Sequence, residues 1–233
     1  YCDDNCISDC VGNEPDIWKK YEECKTVVAM SVEVRITKDF GAFKLDIDFK
    51  SESKRIGILG ASGCGKSLTL KSIAGIEKPD KGRIAVGERT LYDSSKRIIL
   101  TPQERRCGYL FQNYALFPTM TVAKNIGVGL KCGKTEREER VRNIMKRFGL
   151  EGLEKRFPGE LSGGQQQRAA LARIMVYEPD VILLDEPFSA LDVYLKDKMQ
   201  RECMELLKDY PGIVILVSHS RDEIYRFSEE AMV

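Results

Sequence analysis

The sequence predicts an α/β protein with a largely buried sheet. From residue 30 onward, short apolar runs alternate with longer amphipathic stretches, which is typical of strands followed by helices. Three of the runs, at residues 55–59, 181–184 and 213–217, are rich in branched side chains, as expected of central strands. We therefore predict that these three strands form the structural core.

Further elements follow from side-chain periodicity. Residues 31–36 resemble a strand, and residues 43–49 alternate apolar and polar side chains, which predicts a half-exposed antiparallel strand. Residues 135–148 carry apolar side chains at helical spacing behind a charged start, which predicts an amphipathic helix. A second helix is predicted after Leu191, ending before the Tyr-Pro-Gly stop at residues 210–212.

The composition argues against a nucleic-acid partner and against a membrane-spanning chain. The 233 residues include 37 Lys and Arg against 36 Asp and Glu, so the formal net charge is +1 and no basic field is available for an anionic partner. The longest apolar runs are about strand length, whereas a membrane span needs about 20 apolar residues. The acidic start lacks the features of a secretory signal. We expect a cytoplasmic protein.

The first 24 residues hold four of the eight cysteines. Three of them, Cys2, Cys6 and Cys10, have the spacing C-x3-C-x3-C, which matches no common zinc motif and has no histidine nearby. Free thiols are the favoured interpretation, with a metal site as the alternative. Residues 1–29 precede the first methionine, so we expect them to be an N-terminal extension outside the working domain at residues 30–233.

The segment Gly-Ala-Ser-Gly-Cys-Gly-Lys-Ser at residues 60–67 matches the pattern G-x-x-x-x-G-K-[ST] and precedes a predicted helix through Ser72. Its glycines allow successive backbone N–H groups to face phosphate oxygens, and the helix directs its positive end at the same anion. Lys66 is predicted to neutralise the β- and γ-phosphates, and Ser67 to bind Mg²⁺ through its hydroxyl. The lysine, the serine and their context favour a nucleotide site over a plain glycine-rich turn.

Two acidic residues follow the apolar run at residues 181–184. A buried strand there would deliver Asp185 and Glu186 at its carboxyl end. Asp185 is predicted to hold Mg²⁺, usually through water, and Glu186 to orient or deprotonate the water that attacks the γ-phosphate. A polar turn is the alternative, which the phosphate loop in the same chain disfavours.

A third motif, Leu-Ser-Gly-Gly-Gln at residues 161–165, precedes a predicted helix through Arg173. Ser162 and the two glycines after it form a helix start that can bind an anion. With the two motifs above in this order, the chain closely resembles ABC-type ATPases over about residues 31–227. The resemblance implies a P-loop NTPase fold of the ABC ATPase type, with a mixed core sheet, an antiparallel β subdomain and a helical subdomain at about residues 113–165.

The resemblance also implies roles for single residues. Gln112 corresponds to a glutamine that reaches the metal and the attacking water, and Asp192 to a contact across a dimer. His219, the only histidine, corresponds to a switch histidine that hydrogen-bonds the γ-phosphate. Phe40 is the candidate for stacking on adenine, although Phe43 is close and either could instead belong to the core.

The cofactors implied are ATP and Mg²⁺, and the predicted site comprises three sets of residues. The catalytic set is Lys66, Gln112, Glu186 and His219. The ATP-binding set is Phe40, Gly60, Ala61, Ser62, Gly63, Cys64, Gly65, Lys66, Ser67, Leu68, Ser162, Gly163, Gly164, Gln165 and Asp192. The magnesium set is Ser67, Gln112 and Asp185.

The resemblance implies partners as well. ABC-type ATPases close as two chains on two ATP molecules, which implies a homodimer on ATP binding. Residues 109–118 resemble the part of bacterial importers that receives a permease helix, which implies separate integral membrane permease subunits and, indirectly, an extracytoplasmic solute-binding protein. The chain would then be peripheral on the inner face of the cell membrane. A soluble switch ATPase is the alternative, disfavoured by the single cassette and the absence of a basic surface.

One segment suggests the solute. Residues 91–106 resemble the corresponding connection in molybdate importer ATPases, so molybdate is favoured, with tungstate, sulfate or a sugar as alternatives. An ordinary charged hairpin is the local alternative. The chain ends 14 residues after His219, where such ATPases usually continue, so we expect a C-terminally truncated domain.

Overall fold

A computed structural model describes residues 31–189 and 193–233 of the protein. The expectations for residues 1–29, for the cysteines within them and for Asp192 lie outside the described residues. The strands are β1 (Val32–Asp39), β2 (Lys44–Ser51), β3 (Arg55–Leu59), β4 (Lys81–Val86), β5 (Arg89–Asp93), β6 (Ile98–Ile99), β7 (Cys107–Leu110), β8 (Val181–Asp185), β9 (Ile213–Ser218) and β10 (Glu230–Met232). The helices are α1 (Lys66–Ala74), α2 (Val122–Gly127), α3 (Lys134–Arg147), α4 (Gly163–Met175), α5 (Val193–Leu207) and α6 (Arg221–Phe227), with a 3₁₀ turn at Pro158–Glu160.

The described strands form two sheets. The first is antiparallel, in the order β2-β1-β4-β5-β6, and the second has the order β10-β3-β9-β8-β7 with every pair parallel. The α/β fold with an antiparallel subdomain is thus confirmed, but the expectation of a mixed core sheet is wrong for the described strands. Helical crossovers join the core strands and make them parallel, whereas tight turns join the antiparallel ones.

The predicted elements are found close to their expected bounds. Strands β8 and β9 are buried at every residue, and β3 lies between β9 and β10, as predicted for central strands. Strand β2 alternates in exposure and pairs antiparallel with β1. Helix α3 buries Val141 and Met145 on one side, and α5 ends three residues before the Tyr-Pro-Gly stop at residues 210–212.

The parallel sheet is covered on both faces, which explains its uninterrupted apolar strands. Ile182 and Leu184 of β8 belong to one core cluster with α4 and α5. Val181 and Leu183 belong to the other, with α1 and the antiparallel sheet, because successive side chains of a strand point to opposite faces. Among the described residues, no helix combines the length and the apolar character needed to cross a membrane.

All described strands of the core sheet run the same way, so the carboxyl ends of β3, β7, β8 and β9 lie at one edge. Ligand sites of open α/β sheets form outside this edge.

Candidate active site

The phosphate loop joins β3 to α1 and depends on glycine at two positions. Gly63 and Gly65 have φ angles of +83° and +102°, a region that residues with a side chain seldom adopt. A Cβ on Gly65 would also lie 2.6 Å from Leu45 Cδ1. The tight turn therefore needs glycine, and it leaves residues 61–64 exposed.

Lys66, the first residue of α1, lies buried behind this loop. The residue is only 6% exposed, and its Nζ donates hydrogen bonds to the carbonyl oxygens of Gly60 (2.8 Å) and Ala61 (2.7 Å). The same Nζ lies 3.9 Å from Glu186 Oε1. The ammonium group of Lys66 thus contacts both the phosphate loop and the acidic residue that follows β8.

Asp185 is the last residue of β8, and its carboxylate accepts hydrogen bonds from two hydroxyl groups. Ser67 Oγ donates to its Oδ1 and Tyr109 OH to its Oδ2, both at 2.7 Å. A hydroxyl and a carboxylate are hard oxygen ligands of the kind that Mg²⁺ prefers, with phosphate oxygens and water completing its shell. The Ser67–Asp185 pair therefore fits a magnesium site. No group of three or more His, Cys, Asp or Glu within the described ranges suggests another metal.

Tyr109 was missing from the predicted site. Burial, followed by its contact with Asp185, raises the pKa of the Tyr109 hydroxyl far above its usual value, so it remains a hydrogen-bond donor. The sequence contained a signal: a tyrosine inside a buried strand usually needs a partner for its hydroxyl.

Glu186 follows β8 with a φ of +46°. A residue other than glycine in this region costs about 1–3 kcal/mol and is found most often at functional sites. Its backbone N–H donates to Val217 O at 3.1 Å, and its Oε2 lies 3.4 Å from His219 Nδ1. The carboxylate thus stands between the Lys66 ammonium, which comes from the start of α1, and the His219 imidazole, which directly follows β9.

Gln112 follows β7 and reaches the same loop indirectly. Its Nε2 donates to Ser189 Oγ at 2.9 Å, and this hydroxyl donates to Glu186 O at 2.9 Å. Among the described hydrogen bonds, Gln112 makes none to Asp185 or Ser67. Ser189, which was not among the predicted site residues, is therefore the connection of Gln112 to the acidic residues.

The signature segment at residues 161–165 lies elsewhere in the fold. Ser162 Oγ accepts from Gln165 N (3.3 Å), and Gln165 Oε1 accepts from Ser162 N (2.9 Å), a reciprocal capping box at the start of α4. Gly164 packs close to Met199 of α5, since an added Cβ would lie 2.7 Å from its Sδ. None of the contacts described for these residues joins the phosphate loop, so the structure does not bring Ser162, Gly163, Gly164 and Gln165 to the other site residues.

The aromatic candidates lie at the surface. Phe40 and Phe43 are 40% and 37% exposed, with ring centroids 6.4 Å apart, so the interpretation of either as a core residue is wrong. Phe43 borders the phosphate loop, because a Cβ on Gly65 would lie 3.1 Å from its Cζ. Leu68, by contrast, packs its side chain against the core cluster around α1.

Comparison with known proteins decides the family. The family profile described as ABC transporter matches residues 44–189. This chain belongs to the ABC transporter family. This chain is similar to the solved dimeric ATP-binding cassette MJ0796, in a post-hydrolysis state bound to ADP and Pi. The TM-score is 0.68 and the sequence identity is 27%, over 87% of this chain and 93% of the cassette.

Curated relatives of the ABC chain come from import systems. The trehalose/maltose import ATP-binding protein MalK of Thermococcus litoralis is 40% identical over 94% of this chain and 55% of its own length. The Fe(3+) ions import ATP-binding protein FbpC of Haemophilus influenzae is 42% identical over 81% of this chain and 54% of its own length. The sulfate/thiosulfate import ATP-binding protein CysA of Mesorhizobium japonicum is 40% identical over 87% of this chain and 60% of its own length. The ABC chain spans about half the length of the curated relatives it matches.

Proposed function

We propose that this chain is the ATP-hydrolysing subunit of an ABC importer. The observation that carries the proposal is the convergence of Lys66, Ser67, Asp185, Glu186 and His219 at the carboxyl edge of the core sheet. The import proteins among its relatives support the transport role.

The proposed chemistry follows from the contacts of these side chains. Backbone N–H groups of the phosphate loop and Lys66 bind the phosphates, since both present positive charge at the start of α1. Glu186 accepts a proton from the attacking water as the water oxygen bonds to the γ-phosphorus and the bond to the β,γ-bridging oxygen breaks, which releases ADP and phosphate. His219, 3.4 Å from the Glu186 carboxylate, holds that carboxylate in position and hydrogen-bonds the γ-phosphate. Mg²⁺ held by Ser67 and Asp185 would neutralise charge on the phosphates.

The proposed active unit is a homodimer that closes on two ATP molecules. Two observations support it: Ser162–Gln165 make no described contact with the phosphate loop of their own chain, and a similar cassette is dimeric with ADP and Pi. In the closed dimer, the start of α4 in one chain would face the nucleotide of the other. Asp192, outside the described residues, would contribute across the same interface.

We further propose separate permease subunits as membrane partners, a location on the cytoplasmic face of the membrane, and an oxyanion, first of all molybdate, as solute. The support for molybdate is the resemblance of residues 91–106, which contain the hairpin of β5 and β6 in the antiparallel sheet. The relatives differ in the solutes their names carry at nearly equal identity, so identity does not favour one solute.

Glu186→Gln tests the hydrolytic assignment. The variant should bind ATP with unchanged affinity, lose about 10²–10⁴-fold in phosphate release, and form a nucleotide-bound dimer detected by light scattering. Glu151→Gln, at an exposed position away from the site, is the control and should hydrolyse ATP like the parent chain. Wild-type turnover in Glu186→Gln would remove this residue from its assigned role.

The solute is tested in vesicles that contain this chain together with the permease subunits and the solute-binding protein proposed as its partners. Molybdate-loaded binding protein should stimulate ATP hydrolysis, while sulfate and maltose at equal concentration should not. Stimulation by maltose alone would contradict the oxyanion proposal and leave the ATPase assignment standing. Stimulation by DNA or ribosomes, and not by the permease, would instead support a soluble switch.

A further inference from the structure

The carboxylate of Asp185 is held on both oxygens by groups from different elements. Ser67 comes from α1, whereas Tyr109 comes from β7, the strand that pairs directly with β8. Asp185 and Tyr109 are each 8% exposed, so water has little access to their hydrogen bond.

The two hydroxyl groups differ in function: one belongs to a proposed magnesium ligand, and the other, among the described contacts, only donates a hydrogen bond to Asp185. Ser67 belongs to the proposed magnesium ligands, so its hydroxyl would serve the cation as well as the carboxylate. Tyr109 is the only other group among the described residues that donates to Asp185. Its ring is fixed on a buried strand and lies 4.4 Å, centroid to centroid, from that of Phe111. This hydroxyl therefore has a defined position that does not depend on the nucleotide.

A carboxylate that is hydrogen-bonded on one oxygen loses rotational freedom and presents its other oxygen in a fixed direction. Partners that orient metal ligands in this way commonly change metal affinity by about 10–100-fold when they are removed. Without the hydroxyl, Asp185 Oδ2 would be buried with no donor, which is unfavourable for the charged carboxylate.

We propose that Tyr109 is a positioning residue for the magnesium ligand Asp185. Its hydroxyl holds Oδ2 and thereby directs Oδ1 toward Ser67, which sets the affinity of the site for a divalent cation. The inference rests on the proposed function, because it requires that Ser67 and Asp185 bind the cation of a metal–nucleotide complex.

Tyr109→Phe removes this hydroxyl and keeps the ring. Tyr92→Phe is the matched control, since Tyr92 is 1% exposed and its hydroxyl donates to Pro79 O at 2.8 Å in the antiparallel sheet. The measurement is Mn²⁺ binding to the chain saturated with ADP, followed by the electron paramagnetic resonance signal of free Mn²⁺. Nucleotide affinity is measured separately in EDTA.

We expect Tyr109→Phe to weaken Mn²⁺ binding about 10–100-fold and to leave nucleotide affinity in EDTA unchanged. Tyr92→Phe should match the parent chain in both measurements. Raising the Mg²⁺ concentration should restore hydrolysis in Tyr109→Phe, which a loss of fold would not allow.

Equal Mn²⁺ affinity in Tyr109→Phe and the parent chain would overturn the inference, and so would equal weakening in both tyrosine variants. If Tyr109→Phe does not fold, Tyr109→Met is judged by the same titration and the same limits. A parent chain that binds ADP without any Mn²⁺ site would instead overturn the proposed metal–nucleotide function.

Discussion

The phosphate loop and the signature segment both place glycines and a serine before a helix, but the two helix starts are completed differently. At α1, Gly65 is left-handed and, within the described residues, no side chain caps the first N–H groups. At α4, Ser162 and Gln165 cap each other's backbone. An uncapped start offers its N–H groups to an anion, whereas a capped start is stable within its own chain. This difference in capping supports the proposal that the start of α1 binds phosphate within its own chain and that the start of α4 serves a second chain.

The largest expected effect separates the two glycine positions of the phosphate loop. Gly65→Ala should lower the free energy of unfolding by about 2–5 kcal/mol, because strain at φ +102° adds to the close contact with Leu45. Gly63→Ala, with φ +83° and no atom within 4 Å, is the control and should cost about 1–2 kcal/mol. Urea unfolding measures both. Equal losses would show that packing against β2 does not shape the loop.

The next effect is on nucleotide binding at α1. Lys66→Ala should weaken ATP binding about 10–100-fold, because a charged hydrogen-bond donor contributes about 1.5–3 kcal/mol. Lys71→Ala, in the last turn of the same helix, should bind like the parent chain. Isothermal titration calorimetry provides the affinities, and an unchanged affinity in Lys66→Ala would contradict the phosphate role of this lysine.

Removing the cap of α4 should have a smaller effect of another kind. Ser162→Ala should lower the free energy of unfolding by about 1 kcal/mol, and ATP binding by the monomer should be unchanged. Thr121→Ala removes the cap of α2, where Thr121 Oγ1 accepts from Lys124 N, and should have a similar cost. Only Ser162→Ala should also weaken the ATP-dependent dimer in light scattering. Weakened binding by the monomer would contradict the assignment of this helix start to a second chain.

The smallest effect concerns two thiols, one in the phosphate loop and one on α5. Cys64 in the phosphate loop is exposed, whereas burial raises the pKa of Cys203, on α5, to about 12. At pH 8, iodoacetamide should modify Cys64 in the native chain and Cys203 only after unfolding, as mapped by mass spectrometry. Early modification of Cys203 would show that α5 is open to solvent.

The same raised pKa predicts alkaline sensitivity. The unfolded thiol ionises near pH 9 and the folded thiol near 12, so the folded state retains its proton between these values. The contribution of Cys203 is therefore fully present below about pH 8 and is lost as the pH rises toward 12. Cys203→Ala should show a shallower decline of stability over this range, measured by urea unfolding at each pH.

The central strands were predictable because a run of branched apolar residues suits a strand buried on both faces. The run at 181–184 and the run at 213–217 both lie in the core sheet, and helix α3 begins one residue before its expected start. The mixed core sheet implied by the resemblance is wrong for the described strands, because the direction in which strands pair depends on contacts between distant segments.

The motif residues show the same division. Lys66, Ser67, Asp185 and Glu186 could be predicted as a group, because each stands at a motif position whose chemistry is specific. The hydrogen bonds between residues at different strand ends could not be predicted, because the partners are far apart in the chain. Tyr109 is 76 residues from Asp185, and Gln112 is 77 residues from Ser189.

The amino-acid sequence by itself determined the α/β class, the phosphate loop and the acidic pair, since these depend on local backbone freedom, apolar runs and adjacent side chains. Only the tertiary structure decided that the core strands are all parallel, that Glu186 stands between Lys66 and His219, and that Tyr109 holds Asp185. The physical reason is that these contacts arise where strands distant in the chain end at one edge of a sheet, and packing, rather than any local pattern, selects which strands are neighbours.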